Sequence, residues 1–209
     1  MGRNAAMTLA GLIEILRSAE KPAEIDKYRD EIAGLIPDIS IMFDYDQNNP
    51  YHCYDLWMHS LYTVTGLPRG NADDMLYLAA LIHDIGKPDT RCRSKRPDDP
   101  YAHYYRHAAK SAEIAEARII PQLNKNADED ADAYVLSADD ARRLIYYVKH
   151  HDDEPASGEK FMQRQLNEAS PEEVRNLLML QIADAEAHVQ LPAIVERIKS
   201  CRILLAAAY

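Results

Sequence analysis

LAALIHDIGKPD, residues 78–89, decides how the rest of the chain is read. Apolar residues on every side of its first half mark a buried helix. That helix delivers two polar side chains, His83 and Asp84, side by side at its end, and Gly86, Lys87 and Pro88 follow at once. Burying such a pair costs free energy unless something binds to it. Taken alone, the pair reads as a hydrogen-bonded core histidine beside a helix-ending aspartate, so partners must be sought elsewhere in the chain.

Working outward, Leu76, Ala79, Ala80 and His83 lie on one stripe, and the two alanines let another helix approach closely. Upstream, Tyr54 to Leu67 reads as a helix with Leu56, His59 and Thr63 on one face, stopped by Pro68 and Gly70. Residues 38–53, DISIMFDYDQNNPYHC, are rich in Asp and Asn and read as an ordered loop whose aromatic residues pack on something. Thr8 caps a first helix to about Ala19, and Pro22 opens a second that ends near Pro37. These two form an N-terminal hairpin over residues 1–37.

Downstream, residues 89–107 carry five basic residues without a helical period, the one basic patch in an acidic chain. Its place directly after His83-Asp84 points to anion binding. His107 opens HAAKSAEIAEARII, with Ser111, Ala112 and Ala115 as a small-residue face and Pro121 marking its end or a kink. Residues 124–136 form an acidic exposed linker; the central glycine and closing glutamate of a calcium loop are missing. Ser137 and Asp140 start a helix to about His151. Leu144, Val148 and His151 share its stripe and His150 sits about 100° round, so a site using both must meet this helix at its end. GEKFMQRQLNEA gives a short helix. Ser170, Pro171 and Glu173 then start another, with Leu177, Gln181, Asp184 and His188 on one face. Pro192 opens or kinks a last helix. No repeat and no strand run is evident, so the fold class is all-α.

The 209 residues suit one domain with a substantial core, and 47% apolar residues with only 7 Gly and 2 Phe favour helices. A net charge of -10 argues against duplex nucleic acid and anionic membranes, but not against a small acidic substrate held locally. Cys53, Cys92 and Cys201 are scattered and odd in number, which suggests neither a disulfide framework nor a structural zinc site. The N-terminus reads as an amphipathic helix rather than a signal peptide. No run approaches the about 18–20 apolar residues of a membrane span. A cytoplasmic domain is expected, and a homodimer stays open.

His59, His83, Asp84, His107, His150, His151 and Asp184 each lie on or at the end of a helix whose stripe points inward. Imidazoles and carboxylates without thiolates suit iron, manganese, cobalt, nickel or zinc better than calcium; one or two divalent ions are expected, iron or manganese first, with nickel, cobalt, zinc or magnesium as alternatives. Asp84 can bridge two ions and is the natural shared ligand.

The order His59, His83-Asp84, Asp184 resembles the metal motif of the HD-domain superfamily of metal-dependent phosphohydrolases, over roughly residues 45–190. His107 and the His150-His151 pair resemble the additional ligands of its two-metal members. The resemblance implies an HD-domain helical bundle with one ion on His59, His83, Asp84 and Asp184 and a second on Asp84, His107, His150 and His151. The stretches DQNNPYHCYDLWMHSLYTV, LIHDIGKPDT, HYYRHAAKSAEIA and ADAEAH resemble the HD region of bacterial tRNA nucleotidyltransferase and poly(A) polymerase-like proteins. No Gly-rich motif with paired aspartates precedes them, so nucleotidyl transfer is not carried over. The GYP motif of one cyclic-dinucleotide phosphodiesterase group is also missing.

The function implied is hydrolysis of a phosphoester of a nucleotide or short oligonucleotide by a metal-activated water. Asp84 and Lys87 would be its catalytic residues, and Lys87, Arg91 and Arg106 would face the phosphate. His52, His103 and His188 are expected to be surface residues or supports of the ligands, and Tyr101, Tyr104 and Tyr105 either stack a base or pack. Two other readings stay open: a mixed-valence di-iron HD oxygenase, disfavoured by the His150-His151 pair, and a non-catalytic metal- or nucleotide-binding regulatory HD module.

Overall fold

A computed structural model describes residues 7–96, 98–127 and 134–207. Helix α1 (Leu9–Ser18) starts where the Thr8 hydroxyl accepts a hydrogen bond from the Gly11 amide at 3.1 Å. The single second helix expected is two, α2 (Pro22–Asp26) and α3 (Arg29–Leu35), followed by a 3₁₀ turn over Pro37–Met42. The Trp57 indole donates to Asp26 at 2.7 Å and ties this N-terminal part to the body.

Helices α4 (Leu56–Gly66) and α5 (Asp74–Ile82) are capped by Asp55 and Asp73, each satisfying an amide that the first turn leaves open. Every residue of α5 from Met75 to Ile82 is buried, and each fully buried Leu, Ile or Met contributes about 1.5–3 kcal/mol. Helix α5 is therefore the core. After it come a short turn of helix, α6 (Lys87–Thr90), and a two-residue hairpin, β1 (Cys92–Arg93) antiparallel to β2 (Ala102–His103). The stretch expected to be loop thus holds a small β ribbon, too short for alternation to announce it.

Helix α7 (His107–Ile114) does not stop at Pro121. It widens into a π segment, Ala115–Ile119, and runs on as α8 (Ile120–Ala127). A proline ring clashes with the carbonyl four residues back in a regular helix, and a π turn relieves that clash without ending the helix. Of the expected acidic linker, residues 128–133 lie outside the described residues. Its flanks are clamped by the Asn124 side chain, which accepts from the Leu136 amide at 2.9 Å.

Helices α9 (Ala138–His150) and α11 (Pro171–Glu186) start with complete capping boxes at Ser137 and Ser170. A 3₁₀ turn and α10 (Glu159–Leu166) join them, and α12 (Pro192–Ala207) closes the chain against α11. Helix α5 packs against α1, α4, α9 and α11, and α7 packs on α9. The fold is an all-α bundle around one hydrophobic cluster that includes the N-terminal helices. No described helix is long and apolar enough to cross a membrane.

Candidate metal centre

Helix ends build the site. His83 and Asp84 follow the last turn of α5, His107 is the first residue of α7, His151 caps the C-terminus of α9, and Asp184 lies in the last turn of α11. His59 comes from the first turn of α4. The last carbonyls of a helix have no partner within it, and two histidines use them. His83 Nδ1–H donates to the Ala80 carbonyl at 2.8 Å, and His151 Nδ1–H to the Val148 carbonyl at 2.7 Å. His107 does likewise to the Tyr104 carbonyl at 2.9 Å. Each bond fixes the ring orientation that points Nε2 inward.

Gly86 makes this approach possible. A Cβ there would come within 2.6 Å of the Ser111 nitrogen and 2.7 Å of the His107 carbonyl oxygen, so only glycine lets the Asp84 turn lie on α7. The Gly86 amide donates to Ser111 Oγ at 2.9 Å, which is the use of the small-residue face.

Asp84 stands between two groups. Its Oδ2 is 3.4 Å from His59 Nε2 and 3.3 Å from His83 Nε2, while Asp184 Oδ1 lies 3.0 Å from His59 Nε2 and 3.6 Å from His83 Nε2. Its Oδ1 is 3.2 Å from His107 Nε2 and 3.5 Å from His151 Nε2. His83 Nε2 and Asp84 Oδ1 are buried without a hydrogen-bond partner, which native proteins rarely tolerate without an ion or water to satisfy the atom. Donors that share an ion at 2.0–2.2 Å lie roughly 3 Å from one another, close to the spacings here. Imidazole nitrogens with carboxylates and no thiolate suit a divalent transition metal. The residues therefore fit the group: His59, His83, Asp84 and Asp184 on one side, Asp84, His107 and His151 on the other.

Electrostatics agree with a charge-dense cluster. Burial alone would lower His83, but the Asp84 and Asp184 carboxylates outweigh it and hold the ring up to about 10. Burial opposes ionisation of Asp84, yet Lys87 and His83 keep it well below the usual carboxylate range. Asp184 is held low in the same way, with His188, His59 and His83 working against its burial. Burial lowers His151, and burial lowers His188 to about 4.

Two expected site residues lie elsewhere. His150 is not brought to the cluster: its Nδ1 engages Asp153 at 2.8 Å and its Nε2 engages Glu168 at 3.1 Å, so neither nitrogen is free for an ion. Being 100° round α9 from His151, it faces the α10 side. Arg91 turns away as well, donating to the Asp46 carbonyl at 2.9 Å and lining a separate groove. His52 and His188, expected to be surface residues or supports of the ligands, stand beside His59 in the second of those roles, with ring centroids 5.0 and 4.8 Å from it. His188 had a signal, since it follows Asp184 by one turn on the same face; His52 sits in an aperiodic loop and had none. His103 pairs with Asp99 at 2.9 Å on the pocket wall.

Lys87 is 4% exposed and donates to Asp84 Oδ2 at 2.6 Å and to Gln47 Oε1 at 2.9 Å. A pocket of about 360 Å³ opens over the cluster, lined by Asp84, Lys87, Arg106, His107, His151 and Asp184 among others. Arg106 is held at a left-handed φ of 65° immediately before His107, a strained conformation for a side-chain-bearing residue that often accompanies function.

The profile of the HD domain family matches residues 52–187. The chain belongs to the HD domain family. Its members are generally metal-dependent phosphohydrolases built as helical bundles, in line with the fold and the His/Asp groups described. No curated protein and no solved structure matches the chain.

Proposed function

We propose that this HD domain hydrolyses a phosphoester of a nucleotide or short oligonucleotide. The observation that carries the proposal is the division of Asp84, one carboxylate oxygen toward His59 and His83 and the other toward His107 and His151. In this reading His59, His83, Asp84 and Asp184 hold one divalent ion, and Asp84, His107 and His151 hold a second. When bound, such ions supply Lewis acidity to phosphate oxygens and lower the pKa of a coordinated water to about 7. The protein supplies position: the Nδ1–H bonds of His83, His107 and His151 lock each ring before substrate arrives, which removes reorganisation from the reaction. Lys87 anchors Asp84 and adds positive charge at the pocket floor, while Arg106 at the rim meets a phosphate from the solvent side.

One observation favours a second reading. With His150 engaged by Asp153 and Glu168, the second side carries fewer histidines, and the argument from a His150-His151 pair against a di-iron oxygenase weakens. Anaerobic purification with metal analysis, then assay with manganese or ferrous iron, separates the two. Cleavage of nucleotide phosphoesters without oxygen, read by product chromatography, supports the hydrolase. Oxygen-dependent oxidation of a hydroxylated carbon, with no phosphoester cleaved, would overturn it.

A further inference from the structure

Several arginines of the helical body are answered by carboxylates: Arg17 by Asp74, Arg69 by Glu20, Arg142 by Glu173, Arg143 by Asp73 and Arg202 by Glu186. Arg93, Arg96 and Arg106 differ, since none has an ion pair among the described residues although the chain carries 34 Asp and Glu against 24 Lys and Arg. All three lie in the β1–β2 hairpin or the segment after it. Guanidinium forks left unpaired in an acidic protein, and clustered, are placed for an anion that comes from outside.

Their position is specific. The hairpin encloses a groove of about 710 Å³ lined by Arg91, Arg93, Arg96, Asn48, Ser94 and Tyr101 among others. Only one layer of chain separates it from the pocket over the Asp84 cluster. Asn48 and Ala102 line the groove while their neighbours Asn49 and His103 line the pocket, and Ala102 N donates to the Asn48 carbonyl at 2.9 Å within that wall. The groove's own acid, Asp99, is already engaged by His103 at 2.9 Å and by the Tyr101 amide at 3.0 Å. Tyr101 is 43% exposed beside the arginines, an open aromatic face for a base.

We propose that the hairpin groove is a second phosphate subsite and that the substrate is a single-stranded oligonucleotide, with one phosphoester over Asp84 and a neighbouring phosphate on Arg93 and Arg96. This rests on the hydrolase reading for its reaction but not for its binding. A mononucleotide reaches only the pocket; a duplex needs a long basic face, which a net charge of -10 denies it.

The test is fluorescence anisotropy of a fluorescein-labelled hexauridylate on the full chain, with chelator present so that nothing turns over. Arg93→Ala/Arg96→Ala should weaken Kd at least tenfold and reduce the slope of log Kd against log salt by about 1.4, at about 0.7 per phosphate contact on a single strand. Arg69→Ala, which removes an arginine already paired with Glu20, should stay within twofold. With metal restored, the ratio of hexamer to mononucleotide kcat/KM should fall tenfold in the double variant. Hexamer binding within twofold of the parent chain would overturn the proposal, as would competition by hexaglutamate equal to that by unlabelled hexauridylate. Arginine-dependent binding in a protein that hydrolyses no phosphoester would uphold the groove and sink the hydrolase.

Discussion

Helix α5 carries a buried aspartate at each end, and the two are used in opposite ways. Asp73, before the first turn, is saturated: Oδ1 accepts from the Met75 amide at 3.1 Å and Arg143 at 2.7 Å, and Oδ2 from the Tyr147 hydroxyl at 2.6 Å and Asn176 at 3.3 Å. It locks α5 to α9 and α11. Asp84, after the last turn, has Lys87 on Oδ2 and leaves Oδ1 without a hydrogen-bond partner beneath two imidazoles. A saturated buried carboxylate holds a fold together, whereas an unsatisfied one keeps open the valence that an ion can take.

The sharpest way to break this comparison is to neutralise each carboxylate in turn. Asp84→Asn should empty the centre of metal and cut phosphoester cleavage by more than about 100-fold, beyond what loss of a residue behind the ligands costs. Asp73→Asn should leave metal per folded chain unchanged but lower the unfolding free energy by about 3 kcal/mol, a value discounted because Arg143 is 25% exposed. Elemental analysis beside urea unfolding reads both, and metal loss in Asp73→Asn as complete as in Asp84→Asn would erase the distinction.

The pH dependence of the chelated protein sharpens the Asp84 end. Unfolded His188 takes a proton near pH 6.5, while the folded residue resists protonation down to about 4. Below 6.5 the unfolded chain therefore binds more protons, and stability falls by up to about 3 kcal/mol between pH 6.5 and 4. His83 acts in the opposite sense. Its folded value of about 10 gives stabilisation that is complete below 6.5 and lost as pH rises toward 10. Urea melts from pH 4 to 10 should show both limbs, and His188→Gln should make the acid one shallower, the rest coming from His52 and His151, which burial also lowers. An unchanged acid limb in that variant would refute the assignment.

The smallest effect separates adjacent residues. His150→Gln should cost about 1 kcal/mol of stability through its bonds to Asp153 and Glu168 and leave metal content as it was. His151→Gln should lower metal content. Equal losses in the two would restore His150 to the centre.

Much of the fold was legible because its cues are local. Thr8, Ser137 and Ser170 cap the helices they announce, and the all-apolar run before His83 is buried throughout. The convergence of His59, His83, Asp84, His107, His151 and Asp184 was legible too, since inward stripes leave polar side chains little else to face. The side chain of His150 was not, because neighbours in sequence at a helix end differ only in rotation and the Glu168 carboxylate that claims it, just past α10, is 18 residues away. Nor was the hairpin that turns Arg91 aside, whose strands are two residues each.

Sequence by itself determined that the chain is helical, where most helices begin, and that a histidine- and aspartate-rich centre follows the apolar helix, because periodicity and capping act over a few residues. Tertiary structure alone decided which donors meet and which arginines go unanswered. Those outcomes depend on ångström-scale approaches, such as Gly86 against α7, between segments that the sequence places far apart.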